Sequence, residues 1–421
     1  MLRRIKRLFY FPVASYFKFF AQIKLLRWKP RVIVVTGSSG KTTLLHLIEA
    51  QLGDKAHYSH HANSSYGIPF DILGLNRKTL MLYEWFELFL KTPFLAFSKT
   101  PNQKIYVVEA DCDRPFEGVF LATLLKPEVT IWLSSSRTHS MNFDHLVTEC
   151  KFKNVEEAIA YEYGHFLENT SSLAIINSDS DLIARQVGRT IAKVEKISKE
   201  SVQNYQVSKE GTMFKINNEV YKLKYLLPKA VFSSVVATLK LTEYLNLPYD
   251  ISFSAFEMPP GRSSIFVGIK NITIIDSCYN SSFESASQII NMLNAFETKT
   301  KWAVIGDLLE QGDEEQEEHE KLAELVVKSN YNRVILLGPR IIKFGLPICK
   351  KHYGERVVGF ESPKDVLKYL KSNIQGGETI LFKGARFLEG VIENLLLDKT
   401  QADKLSRREK IWEIRREKWG L

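Results

Sequence analysis

The sequence predicts an α/β protein in which a parallel-sheet domain of P-loop type is followed by a second, Rossmann-like domain. Three observations predict it. Short β-branched runs alternate with helical patterns from Arg31 onward, the pattern of a parallel sheet. The first run leads through Thr36-Gly-Ser-Ser-Gly-Lys-Thr-Thr43 into a helical stretch, a glycine turn of the kind that cradles phosphate. A new alternating series then begins after Pro259-Pro-Gly-Arg262.

Residues 1–30 read as a basic amphipathic amino-terminal segment, 31–250 as the central domain, 251–397 as the carboxy-terminal domain and 398–421 as a charged helix. In the central domain, strands are expected at 31–36, 104–109, 129–134 and 173–177. The helix after the glycine turn carries Leu44, Leu45, Ile48 and Leu52 at helical spacing and should stop near Gly53. The aromatic stretch Leu80 to Phe97 can be helical but has no evident role. The segment 251–262 reads as a hinge, and the second series places strands at 272–276, 301–305, 333–337 and 379–383. Asp313 to Glu320 reads as a solvated helix start, and the tail helix carries Leu405, Trp412 and Trp419.

Composition is that of a globular protein, with 45% hydrophobic and 25% charged residues. The four cysteines show no C-x-x-C spacing, which argues against a disulfide framework or a zinc ribbon and fits a cytoplasmic protein. A net charge of +9 suggests nucleic acid until it is located. Arg3, Arg4, Lys6, Arg7, Lys18, Lys24, Arg27, Lys29 and Arg31 account for all of it, with no acid among residues 1–31. Nucleic acid is therefore not expected as a partner. Two readings of this segment stand side by side: peripheral contact with an anionic membrane at its inner face, or a helix packed on the domain's own flank.

The glycine turn carries the chemistry. Gly37 and Gly40 leave the backbone bare, so that N–H groups of Ser38, Ser39 and the following helix can converge on phosphate oxygens. Lys41 adds a point charge, Thr43 extends the motif, and the Thr42 hydroxyl suits the Mg2+ that accompanies ATP. The strict Walker pattern would need glycine at position 35, where the chain has Val35. Glu109 ends the strand Ile105-Tyr-Val-Val-Glu109 at the sheet edge where ligands bind, a natural magnesium ligand, although surface acids also end strands. His139 follows the next strand on the same edge. His57, His60 and His61 lack a partner carboxylate at ligand spacing and read as loop residues. Asn177-Ser-Asp179 is as well explained by a turn as by a site.

Together these stretches resemble the Mur ligase family, the ATP-dependent amide ligases of bacterial peptidoglycan assembly. The resemblance rests on Thr36 to Thr43, on Asn63-Ser-Ser-Tyr-Gly-Ile-Pro69, on Glu109, His139 and Gly261-Arg262, and on Asp276-Ser-Cys-Tyr-Asn280 with Ser285. It continues through Gly306-Asp-Leu-Leu-Glu-Gln-Gly312 with His319, Lys383-Gly-Ala-Arg386 and the tail from Ala402 to Trp412. The resemblance implies a two-step reaction in which ATP phosphorylates a substrate carboxylate and an amine attacks the acyl phosphate. It implies catalytic roles for Lys41, Glu109, His139 and Arg262, with Thr42, Glu109 and His139 at the metal. Gly37, Ser38, Ser39, Gly40, Lys41, Thr42, Thr43, Arg262, Asp276, Tyr279 and Asn280 would bind nucleotide, and Asn63, Ser282, Lys383 and Arg386 the substrates. Those substrates would be a peptidoglycan-precursor-like acceptor and an amino acid or dipeptide such as D-Ala-D-Ala, with Arg262 arriving when the domains close.

The chain departs from the family in four places. The family's amino-terminal UDP-sugar-binding domain has no counterpart, its place being taken by the basic segment, so a partner protein could supply that role. Tyr163 stands where the family carries a carbamylated lysine, which leaves Lys151 and Lys153 as nearby amines. Ala230-Val231 replaces an H-N pair, and Ser64 and Ser65 replace asparagines. These departures motivate a second reading, a catalytically degraded relative that binds nucleotide and serves as a partner or membrane-surface scaffold.

Overall fold

The computed structural model describes residues 9–60, 62–76, 82–149, 151–279, 281–384 and 387–421. Two compact units emerge, one of Met1–Ser136, His145–Ser198 and Ser233–Phe256, the other of Arg137–Asp144, Lys199–Phe232 and Glu257–Leu421. This departs from the expected single cut at 250/251, because two segments of the expected central domain belong to the second unit. The reason is visible in the core: Val207 and Leu226 are buried in one cluster with Ile275, Ile289 and Leu336. A three-stranded meander is too small to bury its own face and joins the larger core.

In the first unit, β1 (Arg31–Thr36), β2 (Ala56–Tyr58), β3 (Ile105–Ala110), β4 (Val129–Trp132), β5 (Leu173–Asn177) and β6 (Lys193–Ile197) form one sheet in the order β2-β3-β1-β4-β5-β6. All pairings are parallel. The sheet grows from β1 first to one side and then to the other, so the chain reverses direction beside β1, where ligands of open parallel sheets bind. Ile33, Val34 and Val35 are fully buried, which is why a central strand reads as a continuous apolar run. The sequence missed β2 and β6, which are short or polar edge strands.

The amino-terminal helix α1 (Tyr10–Trp28) buries Ala14, Phe17, Ala21, Lys24 and Trp28 at helical spacing. The flank reading is therefore realised along this inner face. Lys18 donates to the Phe120 carbonyl and the Thr123 hydroxyl, and Lys24 to the Leu73 carbonyl and the Ser98 hydroxyl. Burial pushes the Lys18 ammonium down to about 8. The segment 1–8 lies outside the described residues.

After α1 come α2 (Lys41–Leu52), α3 (Gly67–Leu73) and α4 (Leu82–Phe97), which confirms a helix in the aromatic stretch. Pro93 inside α4 has no N–H for the Phe89 carbonyl, and the Tyr16 hydroxyl of α1 donates to that carbonyl at 2.7 Å instead. Further helices of the unit include α5 (Glu117–Leu125), α6 (Val155–Glu168) and α7 (Val231–Tyr244).

In the second unit, β7 (Val202–Ser208), β8 (Gly211–Ile216) and β9 (Glu219–Leu223) form the antiparallel meander. The main sheet has β10 (Ser264–Val267), β11 (Thr273–Ser277), β12 (Lys301–Gly306), β13 (Arg333–Leu337), β14 (Val357–Phe360) and β15 (Thr379–Lys383) in the order β10-β11-β15-β12-β13-β14. Only β10 runs antiparallel. Helices that matter here are α8 (Phe283–Ala295), α9 (Glu315–Ser329), α10 (Leu388–Leu395) and α11 (Lys410–Glu417). The tail is not one helix: a 3-10 turn at Lys399–Lys404 precedes α11.

Candidate active site

The glycine turn leaves β1 at its carboxy-terminal end and forms a tight cradle. Gly37 has φ +128, and a Cβ there would sit 2.6 Å from the Ser134 carbonyl oxygen. Ser38 N–H donates to that carbonyl at 3.1 Å, Ser39 N–H to the Ser134 hydroxyl at 2.8 Å, and the Ser136 hydroxyl to that of Ser38 at 2.9 Å. The serines that follow β4 thus brace the loop, a role that sequence reading missed and that the polar run Ser134-Ser-Ser136 after an apolar strand could have signalled. Gly40 is the N-cap of α2 with φ +80, and no side chain caps the helix. The first-turn N–H groups of Lys41, Thr42 and Thr43 therefore stand at the positive end of a twelve-residue helix, the donor set that a phosphate chain needs.

Lys41 is buried and its ammonium donates to the Gly37 carbonyl at 2.6 Å. It also pairs with Asp111 Oδ2 at 2.7 Å. Burial alone would lower its pKa, but the charges of Asp111 and Glu109 reverse that, so it stands above the usual lysine value. Asp111 Oδ1 in turn accepts from the Tyr163 hydroxyl at 2.6 Å and from Cys112 N–H at 2.9 Å. Tyr163 is fully buried on α6, and burial together with the Asp111 charge raises its pKa far above the phenolic range. The residue at the family's lysine position is thus a neutral donor that holds the carboxylate facing Lys41. Lys151 takes no part, since its ammonium pairs with Glu149 at the surface. Asp111 was missed: it stands just past the end of β3, and its role comes from pairing with Lys41, far away in sequence.

The Thr42 hydroxyl donates to Glu109 Oε2 at 2.9 Å. A hydroxyl and a carboxylate side by side at the mouth of a phosphate cradle suit a small hard cation with oxygen ligands. The residues present fit Mg–ATP on this ground and on the uncapped helix. Asn63 also reaches this edge, its carbonyl accepting from Asp111 N–H at 2.9 Å. The altered loop after it is anchored by Glu117, which accepts from Ser65 N–H at 2.8 Å and from its hydroxyl at 2.6 Å.

His139 does not follow β4 within its own unit. Residues 137–144 belong to the second unit, where His139 Nδ1 meets Glu310 Oε2 at 2.5 Å and the Glu310 carbonyl accepts from Met141 N–H at 3.2 Å. The histidine reading also changes: His60 Nε2 lies 3.1 Å from Glu49 Oε1, and His46 Nδ1 3.7 Å from Glu49 Oε2, so folding supplies the carboxylate that linear spacing hid. His61 lies outside the described residues. Asn177 and Asp179 form a turn, the Asn177 Oδ1 accepting from Asp179 N–H at 2.9 Å.

A second polar cluster lies at the carboxy-terminal ends of β11 and β15, where Ser277 and Lys383 are register partners. Asp276 is fully buried; its Oδ1 accepts from Cys278 N–H at 3.1 Å, while its Oδ2 has no hydrogen-bond partner among the described residues. Burial pushes its pKa up to about 6. Lys383, also buried, is pushed down to about 7 by burial and then by the charge of Arg262. The Arg262 guanidinium lies over the Tyr279 ring, 4.9 Å from its centroid. From the tail, Arg407 donates to the Tyr279 carbonyl at 2.5 Å and to buried Glu389 at 3.3 Å, a brace that sequence reading missed.

Ser282, expected at the substrate, and His319, which figures only in the resemblance, have structural tasks. The Ser282 hydroxyl caps α8, accepting from Ser285 N–H in a reciprocal capping box. His319 Nε2 accepts from Leu308 N–H at 3.0 Å while Nδ1 meets the Glu315 carbonyl at 2.6 Å, so the neutral Nδ1–H tautomer ties the start of α9 to the end of β12. Asp307 accepts from Ile341 N–H at 2.9 Å. Asn280 and Arg386 lie outside the described residues.

An uncapped glycine cradle, an ion-paired lysine and an adjacent Thr–Glu oxygen pair define a P-loop nucleotide-using enzyme, here joined to a Rossmann-like second unit. Residues 35–229 match the Mur ligase middle domain, and residues 261–386 match the Mur ligase, glutamate ligase domain. The chain belongs to the Mur ligase family of ATP-dependent ligases. Among relatives, it is 24% identical to the UDP-N-acetylmuramoyl-tripeptide–D-alanyl-D-alanine ligase of Buchnera aphidicola over 384 residues, 87% of this chain and 75% of that one. Against the ligase of the same name from Bacillus subtilis it is 24% identical over 389 residues, 87% of this chain and 76% of the relative. The fold is similar to MurF ligase from Thermotoga maritima in complex with ADP, at a TM-score of 0.71, 22% identity, and coverage of 93% of this chain and 84% of that one. It is also similar to Mycobacterium tuberculosis folylpolyglutamate synthase complexed with ADP and AMPPCP, at a TM-score of 0.61, 14% identity, and coverage of 93% and 97%.

Proposed function

We propose that this ligase joins an amino acid or dipeptide such as D-Ala-D-Ala to the carboxylate of a peptidoglycan-precursor-like acceptor through an acyl phosphate. The single observation that carries the reading is the cradle itself, with Lys41, Thr42 and Glu109 converging at the end of β1. A carboxylate is a poor electrophile and needs a leaving group before an amine can displace it. ATP supplies the phosphoryl group when bound. Lys41 and the first-turn N–H groups of α2 hold the phosphate oxygens, Thr42 and Glu109 hold Mg2+, and Arg262 adds positive charge to the transferred group. His139 completes the metal site in this proposal, and Asn63 and Lys383 face the substrates. Lys383, with a pKa near 7, can hold or release a proton close to neutrality as the incoming ammonium is deprotonated.

The test supplies ATP, Mg2+, a muropeptide acceptor and D-Ala-D-Ala, and measures ADP release together with the mass of the product. ADP formed only when both substrates are present, with an equal amount of amide, supports the reading; ADP formed at the same rate without the amine refutes it. Tyr163, which closes off Asp111, favours one alternative, a relative that binds nucleotide without turnover. Binding of ATP with no ADP under any acceptor would select it. Residues 1–30 support a peripheral contact with a membrane, and no helix among the described residues is long and apolar enough to cross one.

A further inference from the structure

The outward face of the α1–α4 pair is apolar where a globular surface should be polar. Phe86, Leu90, Phe94 and Phe97 of α4 are 70%, 56%, 79% and 62% exposed. Their spacing of four, four and three residues puts them in one stripe along the helix. Beside it runs α1, in contact through the Tyr16–Phe89 ring pair and through Arg27 over the Phe97 ring. The outward face of α1 adds Phe19 and Leu26, 57% and 73% exposed. Together these side chains present roughly 700 Å² of surface, above the size at which an apolar patch marks a binding site.

Charge decides what binds there. On α4 the exposed Glu87 and Lys91 pair with each other, leaving the stripe flanked by a neutral couple. On α1, Lys18, Lys24 and Arg27 donate to carbonyl or hydroxyl oxygens of the protein. The sequence that leads into α1 supplies Arg3, Arg4, Lys6 and Arg7, and no acid occurs before Glu49. At the other end of the pair, Lys29 and Lys99 are exposed. An aromatic stripe with cations at its ends, whose exposed acid Glu87 is paired with Lys91, matches an interface that is apolar at depth and anionic at its surface.

We infer that the α1–α4 face is a membrane-binding surface that lies on an anionic bilayer, with Phe86, Leu90, Phe94 and Phe97 inserted among the acyl chains and the basic amino-terminal segment on the headgroups. The inference rests on and deepens the peripheral membrane contact proposed for residues 1–30, and it is independent of the proposed reaction. It also gives a role to the aromatic stretch between β2 and β3, which the sheet itself does not require.

The experiment is co-sedimentation of the full chain with phosphatidylcholine vesicles with and without phosphatidylglycerol, at low and high salt. Wild-type protein is expected to sediment with the anionic vesicles, less so at high salt. The triple variant Phe86→Ser, Leu90→Ser, Phe94→Ser should bind at least about tenfold more weakly. Because all three positions are solvent-exposed, an unchanged unfolding midpoint is expected and certifies the fold; a second variant, Arg3→Gln, Arg4→Gln, Lys6→Gln, Arg7→Gln, should abolish the preference for anionic lipid. Wild-type protein that ignores the vesicles, or a triple variant that sediments as well as wild type, overturns the proposal. So does a wild-type dimer in solution that the triple variant splits, since the face would then join two copies of this chain.

Discussion

The two polar clusters treat buried charge in opposite ways. In the first unit Lys41 is answered at once: Asp111 pairs with it, Tyr163 and Cys112 N–H hold Asp111, and the lysine stays charged. In the second unit Asp276 and Lys383 are both buried and both pushed toward neutrality, one upward to about 6 and the other downward to about 7, with Asp276 Oδ2 lacking a hydrogen-bond partner among the described residues. A closed network is preorganised around a fixed charge, whereas one with an unsatisfied buried oxygen leaves an acceptor that a ligand can complete. The contrast suits the proposed roles, a cradle that presents a fixed cation to phosphate and a second cluster that exchanges protons.

Substitutions can break this comparison, and the largest effect is expected on turnover. If Arg262 acts as proposed, Arg262→Ala should lower ADP release by about a thousandfold, the worth of one arginine at a transferred phosphoryl. ATP binding at the cradle, measured by calorimetry, should stay within about threefold, because Lys41 and the α2 terminus remain. Next comes Asp111→Asn, which leaves the Lys41 ammonium buried without its counter-charge. Chemical denaturation should show a loss of about 3–5 kcal/mol in the transition that reports the first unit.

Asp276→Asn should act in the opposite sense. The folded carboxyl titrates near 6 against 3.8 when unfolded, so between those values the folded form keeps a proton that the unfolded chain has lost. Stability therefore falls as pH rises through 6. The asparagine variant should gain up to about 3 kcal/mol at pH 8 and nothing below about pH 4, as read from denaturation midpoints across pH. The smallest effect is that of Tyr163→Phe. Asp111 Oδ1 keeps its bond from Cys112 N–H, so a loss of about 1–2 kcal/mol is expected, with ATP affinity little changed.

Much of this fold was legible in the chain. The eight central parallel strands announced themselves because a parallel strand buried on both faces is a continuous apolar run, as at Ile33 to Val35. The short strand Ala56–Tyr58 and the polar edge strand Lys193–Ile197 lack such a run and were not seen. The cradle was legible because its glycines, lysine and threonines are contiguous. Asp111, Glu389 and Arg407 were not, since their roles come from partners 70, 18 and 129 residues away in sequence terms for Lys41, Arg407 and Cys278 respectively. Local spacing could not reveal that 137–144 and 199–232 cross to the second unit either, because the first segment is held by hydrogen bonds to Glu310 and the second by a shared core. Ser282 shows the converse: a residue placed by resemblance at the substrate has its hydroxyl engaged as a helix cap.

Calorimetric titration of Mg–ATP into the protein and into Lys41→Ala tests the central claim most directly. With the ammonium that donates to Gly37 proposed to meet the phosphates, the account predicts one site per chain in the wild type and a loss of at least about a hundredfold in affinity in the variant. Equal affinity in the two proteins would contradict it.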